Sequence, residues 1–408
     1  MIKSECLLLR LRASAFCCAM LAVPLTLAAA EPDSGTSPSI SFKGFGTLGM
    51  AHSDDSRAQF VRDLSQPHGL QSGWSAQTDS VLGLQANMRI NAQTEAVIQG
   101  VTRYRYDGSY KPELTWAFLR HDFSPDFSAR VGRLGTEFYM LADSRLVGYA
   151  NLTLRPPPDY YGPLVMSYFD GFDLSSTTKL GPGLLRGKLF AGYAAEKTPF
   201  VAQLTWDLQH SPMIGGHVDY LSGPWQFRLG HTQIRFKNEQ PLNEVAGINV
   251  IGLAPELTVV DKWARYDSLG VVYDKGPLQV QAMASQIRYE TAAYEDTRSA
   301  YLITAYRLSQ IPLTPYIGYS QVKSNASRLT TPLPPMLITQ IGQLTGQTHS
   351  DQHTVSFGAR WDFRQDMALK AQLDLIRGTP KSVFPFRDDV PGWDGRMNVF
   401  SLALDFVF

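Results

Sequence analysis

Gly44-Phe-Gly-Thr-Leu-Gly49 matches the G-x-G-x-x-G pattern that cradles a dinucleotide pyrophosphate. That chemistry needs a strand before the glycines and a helix after them. Here Met50-Ala-His-Ser-Asp-Asp55 follows, with no helical face. Close packing or local strand bending accounts for the glycines better. Eight histidines form no H-E-x-x-H pair, and the three cysteines, Cys6, Cys17 and Cys18, crowd into the first 18 residues. Zinc chemistry therefore has no support, and neither metal nor cofactor is expected. The pattern that remains is charge. Lys43, Arg89, Arg103, Arg105, Arg130, Arg186, Lys188, Arg228, Arg360 and Lys370 sit on the polar faces of alternating segments, against Asp79, Glu95, Asp219, Asp374 and Asp405. Charges spaced this way across a low-dielectric wall are tolerable when they line water. Rings of such charges set ion preference, and ten bases over five acids predict a mild preference for anions. The competing reading is that the bases pair within the wall and filter nothing.

The elements that must position these residues are strands. Val81-Leu-Gly-Leu-Gln-Ala-Asn-Met-Arg-Ile90 puts Leu82, Leu84, Ala86, Met88 and Ile90 on one face and Gln85, Asn87 and Arg89 on the other. The same period of two recurs in His353 to Phe363 and in Met367 to Leu375. Period two with one apolar face means half-buried strands, and helical spacing is nowhere convincing. The segments are long for a sandwich and match the length a tilted strand needs to cross a bilayer. Short turns, such as Leu180-Gly-Pro-Gly183, Leu221-Ser-Gly-Pro224 and Tyr273-Asp-Lys-Gly-Pro277, alternate with long connections around 54–76, 238–262, 325–350 and 379–395. One short rim and one ragged rim is the asymmetry of a transmembrane barrel. Tyr and Trp near strand ends fit an interfacial girdle.

The predicted strands are 39–53, 77–90, 93–107, 111–123, 126–135, 167–180, 183–195, 212–222, 224–237, 263–274, 276–289, 297–308, 312–324, 351–364, 367–378 and 396–408. That is an all-β fold, a transmembrane antiparallel β-barrel of 16 strands. Phe200-Val-Ala-Gln-Leu-Thr-Trp-Asp-Leu-Gln209 also alternates, but a seventeenth strand would leave the barrel unable to close evenly. It is assigned to the fourth long loop; were it in the wall, residues 245–260 would have to supply another strand and make 18.

Composition sets the bounds. The 408 residues carry 37 basic and 37 acidic side chains, so the basic excess of a nucleic-acid binder is missing. A charged fraction of 18% lies below that of typical soluble domains. The mean hydropathy of −0.15 is too polar for a helical membrane protein. Residues 1–30 read as a cleaved secretory leader: Lys3, Arg10 and Arg12, an apolar run from Ala13 to Leu27, then Ala28-Ala-Ala30. The mature domain, 31–408, would hold 378 residues, 34 basic and 36 acidic, and no cysteine.

The chain ends Phe400-Ser-Leu-Ala-Leu-Asp-Phe-Val-Phe408, with Phe400, Leu402, Leu404, Phe406 and Phe408 on one face. This terminal aromatic strand resembles the assembly signal of Gram-negative outer-membrane barrels. Ala129-Arg-Val-Gly-Arg-Leu134, a long loop, and then Tyr168-Phe-Asp-Gly-Phe-Asp-Leu-Ser-Ser176 resemble the Gram-negative porins. The porin element Pro-Glu-Phe-Gly-Gly is missing. Gly148-Tyr-Ala-Asn-Leu-Thr-Leu-Arg-Pro-Pro-Pro-Asp-Tyr-Tyr-Gly162 stands in its place.

The resemblance implies a water-filled channel in the outer membrane, a third loop folded inward, and passive diffusion of ions and small hydrophilic solutes. It implies a homotrimer set in lipid and lipopolysaccharide, with Phe408 presented to the barrel-assembly machinery. It also places Glu137, Asp143 and Asp159 of the third loop opposite Arg89, Arg103, Arg105 and Arg130, with Arg145 and Arg155 completing the constriction. Arg155 with the three prolines after it would form a stiff segment. The rival function is a channel selective for sugar, phosphate or organic acid, although neither an aromatic line nor a dense lysine array stands out. A barrel enzyme such as a phospholipase would need a nucleophile and base at one rim, and no such local cluster appears.

Overall fold

The computed structural model describes residues 38–164, 166–200, 204–326, 328–332, 349–379, 386–387 and 393–408. The expected leader, residues 1–30, lies outside the described residues. Sixteen strands form the wall: β1 (Ser39–Ser53), β2 (Val81–Arg89), β3 (Thr94–Arg103), β4 (Glu113–Ser124), β5 (Phe127–Gly135), β6 (Tyr168–Leu180), β7 (Gly183–Ala194) and β8 (Pro212–Ser222) come first. β9 (Trp225–Arg235), β10 (Trp263–Lys275), β11 (Leu278–Tyr289), β12 (Thr297–Tyr306), β13 (Leu313–Ser324), β14 (Asp351–Arg364), β15 (Met367–Gly378) and β16 (Arg396–Val407) complete it. Each pairs antiparallel with its sequence neighbours, and β1 pairs with both β2 and β16, so the sheet closes and no wall edge is left bare.

The alternation in sequence becomes an inside and an outside. Ile40, Phe42, Leu48, Leu84, Ile98, Val131, Leu189 and Leu229 all point outward and stay exposed on the isolated chain. An apolar face of that extent around a closed sheet is satisfied only by lipid, which makes this the architecture of an outer-membrane barrel. The two rims differ as expected. Gly181-Pro182, Gly223-Pro224 and Gly276-Pro277 make two-residue hairpin loops, each with the glycine at positive φ and the proline ring fixing the next residue. The opposite rim carries the long loops.

The glycines of the false nucleotide motif have a structural role at the seam where β1 meets β16. Gly44 and Phe408 exchange backbone hydrogen bonds of 2.8 and 3.0 Å. A Cβ on Gly44 would fall 2.2 Å from the Phe408 ring, and one on Gly46 would fall 2.3 Å from the Phe406 ring. The last aromatic side chains therefore lie flat over bare backbone, packing the joint from outside.

The fourth loop behaves as assigned: Thr205–Asp207 pairs with Lys197–Pro199 in a separate small sheet, and the wall keeps 16 strands rather than 18. Residues 201–203 of that segment lie outside the described residues. One expectation needs correcting. The third strand stops at Arg103, not at residue 107, so Arg105 belongs to the second long loop and not to the wall. Its backbone N–H turns to the Ser109 carbonyl instead of continuing the ladder.

Candidate functional site

The third long loop, residues 136–167, leaves β5 and enters the barrel. Among its described residues it carries a single 3-10 turn, Gly148–Ala150, and one short helix, Pro158–Tyr161, which starts on the last proline of the Pro156-Pro-Pro158 run. Proline at a helix start costs nothing, because the N–H it lacks would have no partner there. The loop then meets the wall in four chemically different ways.

The first contact is ionic and dry. Arg155 gives Nε and Nη2 to the Asp79 carboxylate at 2.8 and 2.7 Å, and Nη1 to Asp374 at 2.7 Å. Its remaining reach ends on the Ser401 hydroxyl, and Phe60 lies 5.1 Å below the guanidinium. Arg155 and Asp374 are 1% exposed and Asp79 is 3% exposed. Charges so far from water persist only when nearly every donor and acceptor is matched, and this fork achieves that. The second contact adjoins it. Lys370 Nζ donates to the carbonyls of Gly148, Asn151 and Thr153 and pairs with Asp405 at 2.9 Å. Arg360 adds bonds to the Tyr149 and Asn151 carbonyls.

The third contact is aromatic. Tyr139, Tyr160 and Tyr161 of the loop stack among Tyr266 of β10 and Tyr301 of β12, with ring centroids 4.8–6.5 Å apart. The Tyr161 hydroxyl donates to the Met140 carbonyl at 2.6 Å, and Ser268 of β10 donates to the Phe138 carbonyl. Asp159, fully buried beside this cluster, accepts from Ser320 and Gln352.

The fourth contact is ionic and only partly hydrated: its bases reach water, while Glu137 is 10% exposed and His217 1%. Glu137 accepts from Lys188 at 2.5 Å and from Arg130 at 3.2 Å, with His217 at 3.6 Å and Arg228 at 4.0 Å. Arg130 is shared with Asp173, and Arg228 is held by Asp219 at 2.6 and 2.9 Å. Arg130, Lys188 and Arg228 keep 21%, 13% and 11% of their side chains exposed, and nearby Asp143 is exposed.

The expected constriction is thus redistributed. Glu137 meets Arg130. Asp159 does not face arginine; it meets a hydroxyl and an amide, since its helix points at β13 and β14. Arg155 seals the loop to the wall instead of lining an opening. Arg103 and Arg105 turn to Asp63 and Glu113, and Arg145 to the Met166 carbonyl and Ser167.

The basic excess on the inner face also shrinks. Arg103, Arg105, Arg130, Lys188, Arg228, Arg360 and Lys370 all sit in ion pairs. Among the described residues, Lys43, Arg89 and Arg186 remain exposed without an ion pair, all on the short-turn half of the wall. Asp63, Glu113, Asp173 and Glu196 escaped sequence reasoning, and Asp362, on the polar face beside Arg360, was left out of the inward acids. Asp173 and Asp362 follow the inward parity of their strands and were legible there; Asp63 and Glu196 lie on loops, where no period exists. No cluster of metal-ligating side chains forms among the described residues.

No protein-family model matches the chain, and no curated protein is similar to it in sequence. Its fold is similar to solved outer-membrane structures. The anion-selective porin of Comamonas acidovorans is 14% identical, with a TM-score of 0.54 over 91% of this chain and 100% of that one. OmpF of Salmonella typhi, solved in complex with daunomycin, is 13% identical, with a TM-score of 0.56 over 90% and 97%. The trimer form of OmpT, an outer membrane protein of Vibrio cholerae, is 12% identical, with a TM-score of 0.56 over 91% and 100%. The shared feature is a porin-type barrel fold.

Proposed function

We propose that this chain is an outer-membrane porin of a Gram-negative bacterium, passing ions and small hydrophilic solutes by passive diffusion, with no enzymatic step. The observation that carries the reading is the third loop, folded into a lipid-facing barrel and bearing Glu137 toward Lys188, Arg130 and Arg228, with Asp143 near Lys188 and Arg228. Opposed charges at a narrow wet point orient a polar solute and screen it by size and charge. Lys43, Arg89 and Arg186, exposed below that point, give the channel a mild preference for anions. The short turns face the periplasm and the long loops face outward.

Homotrimer assembly, contact with lipopolysaccharide, cleavage after residue 30 and delivery to the assembly machinery through Phe408 belong to the same proposal. The trimer form of one fold neighbour supports the oligomeric state. Purified protein in a planar bilayer under a salt gradient tests it. Conductance steps in threes with a reversal potential favouring anions are expected; no conductance at all would sink the proposal. A second reading, a channel selective for one small organic anion, is favoured by the tightness of the loop anchors. It predicts that a particular solute blocks the current at low concentration while others do not.

A further inference from the structure

Four arginines converge where the third loop rejoins the wall on the long-loop side. Arg103 ends β3, Arg105 follows it, Arg62 comes from the first loop and Arg145 from the third. Two of them meet on one hydroxyl: Arg145 Nη2 donates to Ser167 Oγ at 2.9 Å, and Arg103 Nη2 approaches the same oxygen at 3.5 Å. Guanidinium groups brought this close repel unless a counter-charge lies between them. One carboxylate, Asp63, bears on all three of Arg62, Arg103 and Arg145, but the carboxylates at hand do not take up every donor. Asp63 stands 3.8 Å from Arg103 Nη1 and turns its hydrogen-bonding capacity to Ser65 and Arg62 Nε. Glu113 stands 3.9 Å from Arg103 and is taken by Arg105 at 3.0 Å. Glu196 is spent on the backbone N–H groups of Ser167 and Tyr168.

Donors are left over. Arg62 Nη2, Arg103 Nε and Arg145 Nε are buried with no hydrogen-bond partner, on side chains of residues 8%, 4% and 7% exposed. A buried guanidinium N–H without an acceptor is costly, and three in one cluster is more than packing alone explains. Arg105 Nε is also unbonded, with Asp107 at 3.7 Å. We propose that Arg62, Arg103 and Arg145 form a binding site for a small divalent oxyanion, of the sulfate or phosphate type, at the root of the third loop. The planar forks suit a tetrahedral oxyanion better than a halide, because each oxygen can take a separate N–H. Arg103 has the inward parity of β3, so the anion enters as a dissolved solute from the mouth of the lumen and is not a lipid headgroup.

Glu196 sets the strength of the site. Burial, reinforced by Glu113, pushes its carboxyl up to about 7, against the pull of Arg103 and the two backbone N–H groups. Glu113, Tyr168, Arg103, Arg133 and Arg145 are the titratable groups that bear on it. The same crowding of buried cations brings Arg145 down to about 10, through burial first and then Arg103 and Arg62. When Glu196 takes up a proton the cluster loses a negative charge, so a divalent anion should bind more tightly at pH 6 than at pH 8.

Calorimetric titration of the full, detergent-solubilised protein with sulfate, whose charge is constant over this range, tests the site without requiring a membrane or a current. One saturable site per chain is expected, tighter at pH 6. Arg145→Gln should weaken it by about tenfold or more, the value of one charged hydrogen bond. Glu196→Gln should tighten it several-fold at pH 8 and flatten the pH dependence. A myristyl phosphate micelle should give no binding beyond that of the Arg145→Gln variant. Absence of saturable sulfate binding would mean that the free N–H groups hold buried water only, and saturable binding that Glu196→Gln leaves unchanged at pH 8 would place the sulfate elsewhere. If Arg145→Gln fails to fold, the Glu196→Gln comparison decides alone. Failure of this site leaves the channel reading standing, and a non-conducting barrel leaves the site standing.

Discussion

Arg155 and Glu137 belong to the same loop, and each ends in ion pairs with the barrel wall, yet one contact is dry and the other is wet. Around Arg155 no member is more than 3% exposed, and two aspartates share one cation. Around Glu137 the order is reversed: one loop carboxylate faces Arg130, Lys188, His217 and Arg228, whose wall partners Asp173 and Asp219 hold two of them in place. A dry network with a surplus of acid is fastened, because removing the cation would strand two buried charges. Around Glu137 the bases keep 11–21% of their side chains exposed, so water can cover a base left open. The first fixes where the loop lies. The second is free to act on what passes.

Four variants would break or sharpen this contrast. Arg155→Met should have the largest effect, destabilising the barrel by ~3–5 kcal/mol because Asp79 and Asp374 are left buried and facing each other. The midpoint of chemical unfolding reads this, and adding Asp79→Asn and Asp374→Asn should recover most of the loss. If the single variant unfolds like the wild type, the contact is not a fastening. Lys370→Met should cost somewhat less, ~3 kcal/mol, since Thr47 still donates to Asp405 at 2.5 Å. Larger conductance steps should accompany the loss, because Gly148, Asn151 and Thr153 lose their anchor. On the wet side, Glu137→Gln should cost only ~1–2 kcal/mol while moving the reversal potential clearly toward anions. A shift toward cations would refute the placing of that residue at the conducting point. The smallest change in stability, within ~0.5 kcal/mol, is expected for Lys43→Gln, Arg89→Gln and Arg186→Gln combined. That triple variant should weaken anion preference in the same bilayer measurement.

The wall was legible because a barrel strand has only two faces. Once Leu82, Leu84, Ala86 and Met88 are assigned to lipid, Gln85, Asn87 and Arg89 have nowhere to go but inward. The five acids expected there, Asp79, Glu95, Asp219, Asp374 and Asp405, include the partners of Arg155, Arg228 and Lys370. The third loop was legible only as an object. Its charged residues have no period to fix their direction, so the contact of Asp159 with Ser320 and Gln352, and that of Arg155 with Asp79, could not be inferred from spacing. The tyrosine cluster was missed for the same reason. Its members come from residues 139, 160, 161, 266 and 301, and no local pattern announces that they meet.

What the sequence determined by itself is everything that depends on short-range alternation and turn chemistry. That covers strand number, the apolar exterior and the Gly-Pro hairpins. Each is set by residues adjacent in the chain or forced by closure of a two-faced sheet. Tertiary structure alone decided which charges are neutralised. Arg103 could face water, Asp63 or another arginine with no change in its own strand; only the first, third and fourth loops, folding onto it from far along the chain, settle the matter. Electrostatic pairing depends on distances of a few ångströms between remote residues, and alternation carries no information about those.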